Sequence, residues 1–244
     1  MVAFGTGQEL TEADSGDTAV QTVYAVMDYT RYRIQESGED KGKALVDTTR
    51  RELPSPAASR ADLMPQGVQD QPVSGDPRAG RIFWQLLNAP FNYCTRSPCG
   101  LNEKRGWYLD LPAERERVLD PIGFYGGGNL LEITSRVPAT AVGLIAGDGQ
   151  PIEACEQDPR PGQTYRTVLN ILTGAAQKSR ILDTNGDGQV TTDDAPASRS
   201  TAARQELRVP ASDGAQLRQG SDGTTDRLQA LPTRVLRPSW RHLK

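Results

Sequence analysis

Four short stretches of this chain, 19–28, 106–111, 129–137 and 164–171, have side-chain patterns with a period of two. In the second stretch, Trp107, Leu109 and Leu111 share one face. A period of two is the period of a β-strand, whereas a helix repeats every 3.6 residues. The stretch 19–28 is apolar on both faces, which predicts an inner strand of a sheet. The chain is therefore predicted to be all-β.

The rest of the chain is more polar and rich in turn residues, with 24 glycines and 17 prolines in 244 residues. Residues 36–81 contain proline, lack sustained periodicity and are predicted to form a polar insertion loop. Residues 195–244 are predicted to be a loop-rich segment with one last strand at 233–236. Strands are thus expected in 1–35 and 82–194, although 82–87 (IFWQLL) is too short to distinguish a strand from a helical turn.

The charges and the apolar runs argue against two kinds of partner. The chain has 28 Lys and Arg residues against 31 Asp and Glu residues, a net charge of −3, and the basic residues are scattered. Nucleic-acid binding requires a clustered basic surface, so no nucleic-acid partner is expected. A membrane-spanning helix needs roughly 20 apolar residues, and no such run occurs. The N-terminal sequence also lacks the charged and apolar regions of an export signal.

The three cysteines predict one small disulfide. Cys94 and Cys99 enclose the polar tetrapeptide TRSP, a spacing that suits a disulfide-closed loop in an oxidising compartment. Two free thiols are the alternative. A zinc site is disfavoured because there is no second cysteine pair and the one histidine, His242, stands at the far terminus. Cys155 is left over from this pairing.

The strongest chemical signal is a twelve-residue loop, DTNGDGQVTTDD, at 183–194. Oxygen-bearing side chains stand at positions 1, 3, 5, 9 and 12 and a glycine at position 6, which is the spacing of a calcium loop. The predicted calcium ligands are five side chains and the backbone carbonyl of Gln189: Asp183, Asn185, Asp187, Gln189, Thr191 and Asp194. Gly188 permits the tight turn, and Val190 is expected to anchor the loop in the core.

Two features separate this loop from those of helix-loop-helix calcium sensors. Position 12 is Asp194 rather than Glu, as in dockerin modules, and Pro196 would stop a helix directly after the loop. Calcium would therefore act as a structural or regulatory staple in a β scaffold rather than open a pair of helices. The alternative is an Asp/Asn/Gly-rich turn that binds no metal.

The sequence contains no recognisable catalytic arrangement. The single histidine leaves no Ser-His-Asp or Cys-His set. The glycines at 126–128 lie between strands rather than before a helix, so they are not expected to hold a phosphate. Four acidic residues are predicted to be solvated at strand edges and turns: Asp110, Glu114, Glu116 and Asp120. The chain is therefore not expected to be an enzyme.

Several segments together resemble the PilC/PilY family of type IV pilus factors. They follow the family's order along the chain: FGTG (4–7), QTVYAVMD (21–28), GWYLDLP (106–112), ERVLDP (116–121), ITSRVP (133–138), NILTG (170–174), the calcium loop and PSWRHL (238–243). Arg115 stands where the family has a glycine, and Cys155 corresponds to a family cysteine that follows the ITSRVP strand. The stretches 36–81 and 195–229 lie outside the resemblance.

The resemblance implies a calcium-binding β-propeller at the C-terminus of a larger exported protein, in which calcium is linked to pilus extension and retraction. This chain has strands for about two to three four-stranded blades, joined by long loops. The implied location is the bacterial cell surface, at the pilus tip or outer membrane, reached through the periplasm. The implied partners are pilus subunits and other pilus-assembly proteins, with adhesion to a host or abiotic surface.

Two other function classes compete with this interpretation. A dockerin-like calcium-dependent protein-binding module would need a second copy of the loop and helices around it, and neither is predicted. A quinoprotein-like propeller enzyme fragment would need a repeated tryptophan motif, which the three tryptophans do not form. We therefore expect a module that supports pilus assembly and surface attachment.

Overall fold

The computed structural model describes residues 1–11, 14, 16–47, 58–76, 81–125, 129–139, 162–212 and 214–229. The first strands in chain order are β1 (Val2–Gly5), β2 (Thr22–Val26), β3 (Tyr32–Ile34), β4 (Ala44–Val46), β5 (Met64–Val68), β6 (Ser74–Asp76), β7 (Arg81–Trp84), β8 (Leu86–Leu87) and β9 (Asn92–Tyr93), with a 3-10 turn at Arg60–Asp62. They continue with β10 (Glu103–Lys104), β11 (Gly106–Asp110), β12 (Gly123–Tyr125), β13 (Leu130–Val137), β14 (Gln163–Asn170), β15 (Arg199–Ala202), β16 (Glu206–Pro210), β17 (Gln216–Gly220) and β18 (Thr225–Leu228). Among the described residues, no helix is both long and apolar enough to cross a membrane.

The first sheet has the strand order β1-β2-β11-β5-β8. Its inner strands β2 and β11 carry four fully buried side chains: Val23, Ala25, Trp107 and Leu109. The pairing of β2 with β1 on one side and β11 on the other confirms the inner strand predicted within 19–28. Trp107 also donates a hydrogen bond from its indole Nε1 to the backbone carbonyl of Ile171, at 2.8 Å. This bond links the first sheet to the segment that follows β14.

The second sheet has the strand order β12-β13-β14-β15-β7-β6. Its longest pairing is antiparallel and runs from Leu130 opposite Asn170 to Val137 opposite Gln163. Opposite faces of this sheet enter two separate apolar clusters, one shared with the first sheet. Because both faces are covered, β13 and β14 have apolar residues at consecutive positions. The first cluster takes Leu131, Ile133 and Leu169, and the second takes Leu130, Val168, Phe83 and Tyr125.

A third sheet, β16-β17-β18, contacts the second sheet through buried charged side chains. Arg218 Nη2 lies 2.9 Å from Glu132 Oε2, and Arg166 Nη1 lies 3.1 Å from Asp226 Oδ2. Arg166 also pairs with Glu206. Buried charges are tolerated only when they are paired in this way. The ion pairs therefore explain how a segment with few apolar residues still packs into the fold.

Parts of the two segments predicted as loops form strands instead. Within 36–81, β5 joins the first sheet and β6 the second, so the prediction of an insertion loop is wrong for these residues. β5 contains Pro65 and Gly67, which weaken the strand signal, and its parallel pairing to β11 is a long-range contact. Within 195–244, β15 joins the second sheet and β16–β18 form the third. The strand predicted at 233–236 lies outside the described residues.

The prediction of an all-β fold is confirmed by this arrangement. The two large sheets and the three-stranded sheet are open, with edge strands, which agrees with part of a propeller-like domain. The undecided run 82–87 forms β7 and β8, two short strands in different sheets.

Candidate metal centre

The predicted calcium loop begins at a segment that is anchored in the second apolar cluster. Ile181 and Leu182 are both buried there, directly before the loop. Leu182 forms an isolated antiparallel bridge with Leu228 of β18. Gln229 donates its backbone N–H to the carbonyl of Ile181, at 3.0 Å. The base of the loop is therefore held by β18 of the third sheet.

Asp183 is the centre around which the loop curls. Its Oδ1 accepts the backbone N–H of Gly186 at 2.7 Å, and its Oδ2 accepts that of Gly188 at 2.9 Å. The two glycines have φ values of 77° and 83°. Residues with a Cβ rarely adopt this left-handed conformation, so glycine at both positions lets the chain turn tightly over the carboxylate. Position 6 of the loop thus has the role that the spacing predicts.

Asn185 and Asp187 continue the curl with side-chain-to-backbone turns of their own. Asn185 Oδ1 accepts the N–H of Asp187 at 2.9 Å, and Asp187 Oδ1 accepts the N–H of Gln189 at 2.8 Å. Each turn holds one side-chain oxygen against the backbone N–H two residues further along the chain. All three residues are exposed, whereas Asp183 is buried. The first four predicted ligands are therefore spread from a buried base to an exposed rim.

Asp194 closes the loop by binding its backbone. Its Oδ1 accepts the N–H of Thr184 at 2.6 Å and the N–H of Asn185 at 3.3 Å, while Oδ2 accepts the N–H of Thr191 at 2.7 Å. The side chain is buried. Oδ1 accepts two backbone N–H groups and the Thr184 hydroxyl, whereas Oδ2 accepts one N–H, so Oδ2 is the oxygen with more capacity left for a metal. The structure thus makes position 12 mainly a clasp between the two ends of the loop.

The chemistry of the loop fits a hard cation. Its candidate donors are carboxylate, amide, hydroxyl and carbonyl oxygens, the ligand types that calcium prefers. In the described part of the chain, no three His, Cys, Asp or Glu side chains are gathered closely enough to hold a metal by themselves. A calcium ion would therefore depend on the neutral oxygens of Asn185, Gln189 and Thr191 as well as on the carboxylates. Val190, predicted to anchor the loop, is half-buried.

The structure joins the predicted cysteine pair in a disulfide. Cys94 and Cys99 have an S–S distance of 2.08 Å and a Cα–Cα distance of 5.2 Å. The backbone carbonyl of Cys94 accepts a hydrogen bond from the Tyr29 hydroxyl, at 2.6 Å. This contact ties the closed loop to the segment after β2. Cys155 lies outside the described residues.

One prediction about the acidic residues is wrong. Glu116 is only 1% exposed, whereas the sequence places it on the solvated surface. Its two carboxylate oxygens accept hydrogen bonds from Arg199 Nη2 at 2.8 and 2.9 Å, and it also accepts one from Ser135. The partners are far apart in sequence, so only the fold brings them together. The available signal was Arg199 itself, a charged residue beside the small residues Ala197, Ser198 and Ser200.

Comparison with known proteins supports the fold. No protein-family model and no curated protein matches the chain. Among solved structures, the crystal structure of the Pseudomonas aeruginosa PilY1 C-terminal domain matches 94% of this chain, with a TM-score of 0.59 and 18% sequence identity. This chain shares the fold of the PilY1 C-terminal domain. The match covers 42% of the PilY1 chain, so the present chain spans less than half of that length.

Proposed function

We propose that this chain is a non-enzymatic, calcium-binding module of a type IV pilus biogenesis and adhesion factor. The observation that carries the proposal is the loop 183–194, curled around Asp183 within a PilY1-like fold. The motifs that resemble the PilC/PilY family support the same assignment, because they occur in the family's order on both sides of this loop.

The residues of the loop divide into ligands and a clasp. Asp183, Asn185 and Asp187 supply side-chain oxygens, and Gln189 supplies its carbonyl. Thr191 completes this set with its hydroxyl, directly or through a water molecule. Bound calcium supplies a double positive charge that offsets the repulsion between the carboxylates. Asp194 holds the loop ends together so that these oxygens stay within reach of one another.

The proposed setting is the bacterial cell surface. There the module would act at the pilus tip or outer membrane with pilus subunits and other pilus-assembly proteins, and it would support attachment to a host or abiotic surface. Extracellular calcium modules work with dissociation constants near 10⁻⁴–10⁻³ M, so a modest affinity is enough. A dockerin-like role has less support, because residues 162–212 form no α-helix around the loop.

Calorimetric titration of the chain with calcium tests the metal site. We expect one saturable site, and we expect Asp187→Ala to weaken it by about tenfold or more, the loss that corresponds to about 1.4 kcal/mol. Asp193→Ala is the matched control, because Asp193 is exposed in the same loop and is not a predicted ligand. Equal losses in both variants would contradict the ligand assignment.

The pilus assignment needs a separate measurement. Pili sheared from the bacterium of origin should carry the chain, detected with an antibody against it. Its absence from sheared pili, with the chain present in the cell, would contradict a pilus location even if calcium binding holds.

A further inference from the structure

A cleft of about 260 Å³ is lined by residues of the first and second sheets and of the segments that follow β5 and β11. Val68 at the end of β5 and Pro112 and Ala113 after β11 line one side. Trp84 of β7 and Tyr165 of β14 line the other. The cleft involves none of the residues of the loop 183–194. It is therefore a second candidate site, independent of the proposed calcium loop.

The aromatic wall of the cleft rests on a fixed base. The rings of Trp84 and Tyr165 lie 5.9 Å apart at 68°, an edge-to-face pair. Beneath them, the Arg199 guanidinium lies 4.0 Å from the centroid of the Tyr165 ring. Glu116 binds Arg199 and also accepts the backbone N–H of Ala113 at 3.0 Å. One buried ion pair thus holds both walls in position.

Four polar groups in this cleft have no hydrogen-bond partner among the described residues. The side-chain amide of Gln69, the carboxylate of Asp70, the indole N–H of Trp84 and the hydroxyl of Tyr165 make no hydrogen bond with any described residue. Asp70 is exposed and the other three residues are half-buried. Polar groups that converge in an aromatic-lined cleft are typical of a ligand site.

We propose that this cleft binds a neutral saccharide. The C–H-rich face of a sugar ring can pack against the electron-rich face of an aromatic ring. The sugar hydroxyls can then pair with the Asp70 carboxylate and the Gln69 amide, which offer acceptors and donors side by side.

Size and charge favour this class over others. Pockets for drug-sized molecules measure roughly 300–1,000 Å³, so a cleft of about 260 Å³ takes a single ring. A cation is disfavoured because Arg199 already covers one face of the Tyr165 ring. An anion would meet the carboxylate of Asp70, while the charge of Arg199 is already offset by Glu116. A proline-rich peptide would need a longer groove with several aromatic slots.

Saturation-transfer NMR and calorimetry test the proposal by measuring whether glucose, galactose, mannose or N-acetylglucosamine binds to the full chain. We expect at least one sugar to bind. Asp70→Asn, an isosteric change at an exposed position, and Trp84→Ala should each reduce its affinity about tenfold or more. The matched controls are Asp40→Asn and Tyr32→Ala, which change exposed residues away from the cleft and should bind as the parent does.

Three results would overturn the proposal. The first is that none of the four sugars binds. The second is that Asp70→Asn, with an unchanged circular dichroism spectrum, binds sugar as well as the parent chain. The third is that a decaproline peptide binds and is lost in Trp84→Ala while the sugars do not bind. Asp187→Ala should retain sugar binding, so failure of the calcium site and failure of the cleft can be told apart.

Discussion

Gly188 shows how a single residue controls the closure of the candidate calcium loop. Its φ of 83° is left-handed, and its N–H donates to Asp183. An L-residue in that conformation costs about 1–2 kcal/mol, although a Cβ at this position would meet no atom within 4 Å. We expect Gly188→Ala to lower the calcium affinity about fivefold to thirtyfold in a calorimetric titration.

Gly123→Ala is the control for this change. A Cβ at Gly123 also meets open space, but its φ is not left-handed. Calcium affinity should therefore be unchanged in that variant. If Gly188→Ala also had no effect, the left-handed turn would not be needed for binding.

The buried pair of Glu116 and Arg199 depends on charge, whereas Gly188 depends on backbone conformation. Removal of either partner would leave the other charge buried and uncompensated. Glu116→Gln should lower the free energy of unfolding by about 3–5 kcal/mol, measured by denaturant titration. Asp110→Asn, which affects an exposed pair with Arg60, should cost about 1 kcal/mol or less. Similar costs for the two variants would show that Glu116 is solvated, as its sequence context suggests.

At the scale of elements, the loop and the strand β18 share backbone hydrogen bonds. Asp183 donates its N–H to the carbonyl of Arg227 at 3.3 Å, and Gln229 donates to Ile181 at 3.0 Å. If calcium holds the loop closed, these bonds should open less often. We expect calcium to slow hydrogen exchange at the amides of Asp183 and Gln229, by up to about a hundredfold when free calcium is about 100 times the dissociation constant.

The hairpin β3–β4 is the internal reference for this measurement. It forms a separate two-stranded sheet and has no pairing with the loop or with β18. Exchange at its amides should not respond to calcium, and a chelator should reverse the protection of Gln229. Equal protection of the hairpin and of Gln229 would indicate a general effect of calcium on the fold rather than a link through β18.

The sequence predicts those elements whose side chains alternate, and misses those whose stability comes from distant partners. β2, β11 and β13 fall within stretches predicted from a period of two, and β14 begins one residue before such a stretch. β5 gives no such pattern, because its five residues include Pro65 and Gly67, and its partner β11 is distant in sequence. In sequence, β16–β18 resemble loops because they pack through ion pairs with Glu132 and Arg166 rather than through apolar residues. These contacts join residues that are distant in sequence, so a pattern within a short stretch of sequence does not reveal them.

The same limit applies to the candidate sites. The calcium loop is predictable because its donors are close in sequence and follow a fixed spacing. The spacing does not reveal that Asp194 binds the N–H groups of Thr184 and Thr191. The saccharide cleft is assembled from separate strands, so Trp84 and Tyr165 had no feature in the sequence that related them.

At the scale of the whole molecule, the buried Tyr125 and the half-buried Tyr93 make stability depend on pH in the alkaline range. Burial raises the pKa of Tyr125 from its ordinary value of 10.0 to about 12, and that of Tyr93 likewise to about 12. Tyr125 lies in the second apolar cluster and donates its hydroxyl to Gln229, whereas Tyr93 of β9 donates to Leu172. The two groups thus sample different parts of the fold.

The direction of the effect follows from which state holds the proton. Between pH 10 and about 12 the folded chain keeps both phenol protons, whereas the unfolded chain releases them. The free energy of unfolding should therefore be unaffected by these groups below pH 10 and should fall as the pH rises toward 12. For Tyr125 the loss should approach about 2–3 kcal/mol, because each unit of pKa shift corresponds to about 1.4 kcal/mol.

Denaturant unfolding at a series of pH values, for the parent chain and for Tyr125→Phe, measures this loss. The variant lacks one phenol proton and the hydrogen bond to Gln229, so its stability should be lower at every pH. Its decline above pH 10 should be shallower, since only the parent chain loses a proton from residue 125 on unfolding. The decisive quantity is the slope of the free energy of unfolding against pH above pH 10, not its absolute value. Parallel declines in the two proteins would mean that Tyr125 is ionised equally in the folded and unfolded states, and that the second apolar cluster does not exclude water from it.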